Sequence, residues 1–286
     1  MTKSLADSIN GLPPLREIIA SHGLNARRKL GQHFLLDLNL TRRIAAAASD
    51  LSLGTILEIG PGPGGLTRSL LLEGAERIIA IERDERCIRA LSPLIKVAAG
   101  RLSVHHGDAL DVGLESLGPA PIRIIANLPY NIATPLLIHW LRAGKRISEM
   151  VLMFQLEVAE RIAATVGDKA YGRLAVLSNW CAETKFLFKI PARAFTPSPR
   201  VDSAVVRLTP FHKPRFSGNV ADIELVTAAA FGQRRKTLRR SLLSLGVSVG
   251  AMLERSCIDG GLRAEELDVS AFASLATALS DLREDL

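Results

Sequence analysis

Along the first two thirds of the chain, short apolar runs alternate with longer stretches in which apolar and polar positions mix. The runs predict strands at Thr55–Ile59, Arg77–Ile81, Leu102–His105, Ile122–Ala126 and Met150–Phe154. The stretches between them predict helices at Gly64–Glu73, Asp84–Leu91, Pro135–Leu141 and Glu157–Ala164. Strands that are apolar throughout are buried on both faces, and strands alternating with helices build a parallel sheet covered on both sides. Upstream, Leu15–Ser21 follows two prolines and predicts a short helix, and Asp37 is placed to cap another that runs through Ala48. Two later apolar runs, Thr184–Ile190 and Ser203–Leu208, are joined by a proline-rich connection too short for a crossover helix. They predict an antiparallel hairpin at the sheet edge. A Pro- and Lys/Arg-rich linker follows at Thr209–Gly218, and from about Val220 the pattern is that of a small all-α domain. The division expected is therefore residues 1–210 for the α/β domain with a basic N-terminal extension, and 211–286 for the helical one.

Composition narrows the setting. With 286 residues, 48% of them hydrophobic, the chain can bury a real core. Cys87, Cys181 and Cys257 are odd in number and scattered, with no zinc spacing, so free buried thiols in a reducing compartment and no metal are expected. Residues 1–10 lack an apolar signal core, and no apolar run approaches the roughly 18–20 residues of a membrane span. A cytoplasmic protein is expected. The net charge is +7, and it is unevenly placed: residues 1–210 hold 26 Lys/Arg against 19 Asp/Glu, whereas residues 211–286 hold ten of each. Such an excess fits a polyanionic partner as well as it fits a merely basic surface.

The loop after the first of these strands carries the first chemical signal. Gly60, Gly62 and Gly65 match GxGxxG directly after Thr55–Ile59 and at the start of a helix. Glycine lets the backbone turn sharply and approach a ligand, and the helix N-terminus favours negative charge. Glu82 ends the next strand, where a carboxylate accepts the hydroxyls of a ribose. Strand, loop, helix and spaced acid together make a Rossmann-like, doubly wound sheet that binds an adenosine-containing cofactor. NAD and S-adenosylmethionine both suit the layout. Glu58 before the loop favours the methyl donor, as an acid able to hold a methionine ammonium. So do the two stiffening prolines and Asp108, which follows the third strand beside Ala109 and is placed for the adenine amino group. Asp108 reads equally as a turn residue and Glu82 as a solvated helix start.

The second signal is Asn127-Leu128-Pro129-Tyr130 at the end of a buried run. An aromatic amine is a poor nucleophile because its lone pair is delocalised. It needs acceptors that hold its N–H groups and let the nitrogen become pyramidal, rather than a strong base. The Asn127 amide oxygen and the Leu128 carbonyl suit that task, Pro129 adds no competing N–H, and Tyr130 offers a stacking face. Phe195, in the loop Phe195-Thr196-Pro197, is the candidate for the other face of the base; its alternative is a loop phenylalanine packed on the core.

These stretches, with KLGQHFL (29–35), LEIGPGPGGLT (57–67), IER (81–83), GDAL (107–110), NLPYNIATPLL (127–137), FTPSPRVDSAVVRL (195–208) and FGQRRKTLRRSL (231–242), resemble the ribosomal RNA adenine N6-dimethyltransferase family, its bacterial small-subunit (16S) branch in particular. The resemblance covers nearly the whole chain. It implies an S-adenosylmethionine-dependent methyltransferase that twice methylates N6 of two adjacent adenosines near the 3′ end of 16S rRNA. Two basic regions fit a structured substrate, a late 30S particle with a coupled role in its assembly, and with no heptad or obvious exposed apolar stripe a monomer is expected. The resemblance also implies that Gln32, His33, Leu35, Glu58, Gly60, Gly62, Glu82, Asp108, Ala109 and Asn127 meet the donor, and that Leu128, Pro129, Tyr130 and Phe195 join Asn127 at the target. Many relatives carry asparagine where this chain has His33. Arg27, Arg28 and Lys29 adjoin the cofactor loop and are expected on RNA phosphates. Arg234, Arg235, Lys236, Arg239 and Arg240 crowd into seven residues, and i, i+4 spacing predicts a cationic face on a helix over Lys236–Leu245. Three rivals remain: an assembly factor acting mainly by binding, a large-subunit rRNA methyltransferase conferring antibiotic resistance, and a nicotinamide oxidoreductase that would leave Asn127–Tyr130 unexplained.

Overall fold

The computed structural model describes residues 3–24, 32–143 and 146–285. They form two compact units, Met1–Ala159 with Lys185–Thr209, and Glu160–Thr184 with Pro210–Leu286. The strands are β1 (Phe34–Leu35), β2 (Thr55–Ile59), β3 (Ile78–Glu82), β4 (Leu102–His106), β5 (Ile122–Asn127), β6 (Ile147–Gln155), β7 (Ala182–Ile190), β8 (Phe195–Thr196) and β9 (Ser203–Pro210).

Seven of them make one sheet in the order β4-β3-β2-β5-β6-β9-β7. The pairs β3–β4, β2–β3, β2–β5 and β5–β6 are parallel, and β9 runs antiparallel to β6. The alternating signals thus produce the expected Rossmann-like α/β sheet. The late pair lies at the sheet edge as expected: β7 and β9 are neighbours, with β9 beside β6 and the earlier strand β7 outermost. The sheet's order reverses between β2 and β5, and a crevice opens at the carboxyl ends of strands at such a switch point. The glycine loop leaves β2 there and Asn127 ends β5 there.

The apolar runs become the core, with Ile56, Leu70, Ile78, Leu91, Ile125 and Val151 in one buried cluster. Inside this region Arg123 and Glu149, register partners on β5 and β6, form a buried pair at 3.9 Å. The Ser49 backbone N–H (2.9 Å) and hydroxyl (2.7 Å) donate to Glu149, and Arg123 donates to the Leu53 carbonyl, so neither charge is left to attraction alone.

The helical unit includes Arg173–Cys181, Val220–Gly232, Val249–Ser256 and Val269–Glu284. At its centre Phe231 stacks on Phe272 at 5.5 Å and meets the edge of Tyr171 at 6.0 Å, while the Tyr171 hydroxyl donates to the Leu267 carbonyl at 2.9 Å. Tyr171 comes from upstream of residue 210, so this unit is not one contiguous stretch of sequence. The expected cationic helix is also broken. Residues 233–236 are a turn, Leu238–Ser241 is a single helical turn, and a 3₁₀ turn follows at Leu242–Leu245. The Leu238 and Arg239 N–H groups donate to the Leu262 and Gly260 carbonyls instead of to a preceding helical turn. The thiols differ from expectation as well: Cys87 is buried, Cys181 partly so, and Cys257 exposed. Among the described residues no helix is long and apolar enough to cross a membrane.

The segment 34–35 is held against the glycine loop without room to spare. A Cβ at Gly65 would lie 2.8 Å from the Leu35 carbonyl oxygen, a backbone atom, whereas one at Gly232 would meet nothing within 4 Å. We expect Gly65→Ala to lower unfolding stability by about 1–3 kcal/mol and Gly232→Ala to be neutral within about 0.5 kcal/mol. Urea titration of both variants checks this; equal midpoints would show that β1 does not depend on the close approach.

Candidate functional site

One cavity lies at the carboxyl ends of β2, β3 and β5. Its walls include Gln32, His33, Leu35, Glu58, Gly60, Gly62, Glu82, Asp108, Ala109, Asn127, Leu128, Pro129 and Tyr130. Phe195 is the exception among the expected donor and target residues. It is 4% exposed, sits in the core cluster and does not line the cavity. Phe34, Arg83, Asn131 and Ile132 line it without having been foreseen.

The glycine loop folds tightly over the cavity floor. Gly62 has φ +55°, and a Cβ there would come within 3.1 Å of the Phe34 ring. The helix that follows is Gly65–Leu72. Glu82 fixes the loop: its carboxylate accepts from the Gly62 N–H at 3.1 Å and the Asp84 N–H at 2.8 Å. Burial pushes Glu82 above the usual carboxylate range, and those backbone N–H groups oppose the rise. Asp84 is different. Arg86 binds it at 2.6 Å and 3.0 Å and Gln32 donates to it at 3.1 Å, which holds its carboxyl well below the usual range. Gln32 therefore ties the cofactor loop to the start of the Glu85–Val97 helix.

Glu58 is the least compensated group. Fully buried, its Oε2 has no hydrogen-bond partner. Burial drives its pKa up to about 8, with a contrary pull from the Thr67 hydroxyl and a further push from Glu82. A cation in the cavity is what this carboxyl lacks. Asp108, at the mouth, is both a cavity residue and a turn residue: it accepts from the Leu110 N–H at 3.1 Å and pairs with Arg83 at 2.9 Å. Among the described residues no group of His, Cys, Asp or Glu is arranged to hold a metal ion.

At the other end of the cavity, Asn127 Nδ2 donates to the His33 carbonyl at 3.2 Å, which turns its amide oxygen away from that contact. Leu128 is buried, and the Tyr130–Arg142 helix starts immediately after Pro129. The Tyr130 hydroxyl is 2.6 Å from Ser203 Oγ, and its ring stacks on His33 at 5.6 Å and 28°. His33 Nδ1 is 2.8 Å from the Pro197 carbonyl. A two-stranded pairing joins the segments, with Phe34 opposite Thr196 and Leu35 opposite Phe195. Ser203 and Pro197 fall inside the quoted sequence stretch 195–208, but nothing local in that stretch shows which residues they meet.

Arg27, Arg28 and Lys29 lie outside the described residues. Arg234, Arg235, Lys236, Arg239 and Arg240 are all exposed, in a turn and a single helical turn. Arg234 is partly spent within its own unit, donating to the Tyr171 carbonyl at 2.6 Å.

Comparison with known proteins fits this geometry. Residues 23–281 match the family model described as ribosomal RNA adenine dimethylase. The ribosomal RNA small subunit methyltransferase A of Rhodospirillum rubrum is 55% identical over 270 residues, covering 94% of this chain and 93% of that protein. A dimethyladenosine transferase from Plasmodium falciparum superposes with TM-score 0.76 at 27% identity, covering 88% of this chain and 98% of that one. The 23S rRNA methyltransferase ErmE superposes with TM-score 0.68 at 26% identity, covering 86% and 99%. The oxidoreductase reading of the glycine loop is thereby excluded. With this match across nearly its whole length and an orphan carboxylate beside the glycine loop, the chain belongs to the ribosomal RNA adenine dimethylase family of S-adenosylmethionine-dependent methyltransferases.

Proposed function

We propose that the protein dimethylates N6 of two adjacent adenosines near the 3′ end of 16S rRNA, acting as a cytoplasmic monomer on a late 30S particle and contributing to its assembly. The carrying observation is the placement of Asn127 and Leu128, a pair of neutral acceptors, at the same cavity as the buried Glu58 carboxyl, whose Oε2 has no partner. The 55% identity to a small-subunit enzyme, against 26% to a 23S one, supports the small-subunit target.

S-adenosylmethionine supplies the electrophilic methyl group and, as a sulfonium, its own leaving group. The protein's part is to hold and orient. Glu82 is assigned the ribose hydroxyls, Asp108 with Ala109 the adenine, and Glu58 the methionine ammonium. Gly60 and Gly62 allow close backbone approach, and Gln32, His33 and Leu35 close the near side. Asn127 Oδ1 and the Leu128 carbonyl accept the two N–H bonds of the target amine, and Tyr130 supports the base. Arg27, Arg28, Lys29, Arg234, Arg235, Lys236, Arg239 and Arg240 are assigned to RNA phosphates, Arg234 only in part.

Three outcomes are expected. Labelled methyl groups should pass to 30S particles lacking the modification and appear as N6,N6-dimethyladenosine, and Asn127→Ala should reduce the single-turnover rate about 10²–10³-fold; label in 50S RNA instead would move the chain to the resistance branch, and particle binding without label would favour the assembly-factor reading. With Glu58 raised to about 8 in the free protein, most molecules carry it neutral at pH 7, and a bound cation favours the ionised form. Donor affinity should therefore fall as pH drops below 8, by up to about tenfold per unit, with proton release at pH 7 that Glu58→Gln removes; calorimetry in two buffers of different ionisation enthalpy reads this directly. Finally, replacing Arg235, Lys236 and Arg240 together by alanine should lower the salt slope of particle binding by about 2–3, and an unchanged slope would remove these residues from the RNA interface.

A further inference from the structure

We infer that the helical unit carries a nucleobase site of its own, a cavity walled by Phe211, Arg215 and Phe216 that takes an unstacked, amino-bearing base of the ribosomal RNA. The inference rests on the reading that the partner is ribosomal RNA. It concerns a surface that neither the methyl donor nor the target amine uses.

The cavity measures about 420 Å³, and every residue lining it belongs to the second compact unit. That volume falls within the range of about 300–1,000 Å³ usual for small-molecule sites. Its walls include the buried ring of Tyr171, the exposed Val166 and three residues of the Pro- and Lys/Arg-rich linker. The linker runs Phe211-His212-Lys213-Pro214-Arg215-Phe216, with cations between two aromatics and no acid. Both phenylalanines are half-buried. The Arg215 guanidinium lies 5.7 Å from the centroid of each ring, inside the reach of about 6 Å of a cation–π contact. Two rings and a guanidinium thus stand together at the cavity, and unpaired bases stack on aromatic faces and on arginine planes.

The polar groups of the wall say which part of a nucleotide enters. Asn179 Nδ2 is spent on the Ala164 and Ala175 carbonyls at 3.3 Å and 2.9 Å, and the Thr184 hydroxyl is spent on Asn179 Oδ1. The Thr165 hydroxyl donates to Asp168 at 2.9 Å. With these donors used, acceptors dominate. Asp268 caps the Val269–Glu284 helix through one oxygen, 2.7 Å from the Ala271 N–H, and a carboxylate accepts further bonds. Glu183 is a second acid on the wall. A phosphate would meet two carboxylates there, so the interior excludes it. The exocyclic amino group of adenine, cytosine or guanine brings the N–H donors that such a wall can use. Lys213 and Arg215, exposed on the linker, suit the flanking phosphates.

The test measures binding of the full-length protein to undermethylated 30S particles across salt concentrations, base-specific probing of the RNA in the complexes with dimethyl sulfate and kethoxal, and methyl transfer in the same preparations. Phe216→Leu should weaken binding roughly tenfold with the salt slope unchanged, as lost stacking predicts. Arg215→Gln should weaken it and lower the slope by about 1. Phe216→Tyr keeps the ring and should bind as the wild type does. The probes should find an adenine, cytosine or guanine, away from the methylated adenosines, that wild type and Phe216→Tyr protect and Phe216→Leu leaves open. Urea midpoints are measured alongside, and Phe211→Leu replaces Phe216→Leu if the latter is unstable. The proposal is overturned if both leucine variants bind within twofold of wild type. It is equally overturned if they lose affinity while the protected bases stay the same, which would put a ribosomal protein side chain in the cavity, or if the base uncovered is a uracil. Should the wild type bind 30S particles yet label no 30S RNA, the proposed function falls, and the Phe216-dependent protection still decides this site. Label without that protection leaves the function standing and removes the site.

Discussion

A carboxyl group buried at the end of β2, with one oxygen unpartnered, is a cost the fold carries. Glu58 is buried on β2 between β3 and β5, and burial there raises its pKa to about 8. Nothing in the packing of the sheet requires an acid at that position; a buried polar atom without a partner destabilises by roughly 1–3 kcal/mol. The cost makes sense when the partner is a ligand. Around Glu58 the rest of the site follows: a loop with little side-chain bulk so that a ligand can approach the backbone, a second carboxylate pinned by that loop, and an amide at the end of the neighbouring strand.

Much of this was legible because it is local. An apolar run followed by GxGxxG, then an acid at the end of the next strand, lies within thirty residues, and each part has its own physical signature. The same holds for Asn127-Leu128-Pro129-Tyr130, whose chemistry is written in consecutive residues. What escaped was long-range. The strands β1 and β8 have two residues each, too few for any periodicity, and their pairing joins Leu35 to Phe195, far apart in the sequence, in a separate two-stranded sheet. For the same reason the loop around Phe195 does not by itself show that this residue is buried in the core cluster opposite Leu35. The Lys236–Leu245 helix failed because its first N–H groups are claimed by carbonyls at residues 260 and 262, a contact that i, i+4 spacing cannot register.

The placement of positive charge separates structural from available cations. Arg68, Arg86 and Arg123 are used inside the first unit: Arg68 donates to the Pro13 carbonyl at 2.9 Å, Arg86 grips Asp84, and Arg123 faces Glu149. Within the second unit Arg234 braces Tyr171, while Arg235, Lys236, Arg239 and Arg240 extend from an exposed turn and a single helical turn. A cationic turn serves an irregular RNA surface at least as well as a straight helix, since its charges are not confined to one line. Net charge alone therefore overstates what is free for RNA, and the burial and hydrogen bonding of each cation refine it.

Three neighbouring acids show how environment divides labour that sequence leaves undifferentiated. Asp84 is satisfied by Arg86 and Gln32, so it is ionised and fixed, and it serves as a pin for the loop. Glu82 receives one backbone N–H at each oxygen and lines the cavity, and a carboxylate oxygen with one bond can accept another from a hydroxyl. Glu58 receives no hydrogen bond at Oε2 and burial raises its pKa to about 8, the condition under which an arriving cation gains by ionising it. A ligand that brings hydroxyls to one carboxylate and a positive charge to the other fits this gradient. A dinucleotide phosphate would instead bring negative charge toward Glu58, so the same glycine loop serves opposite chemistries according to the acid that precedes it.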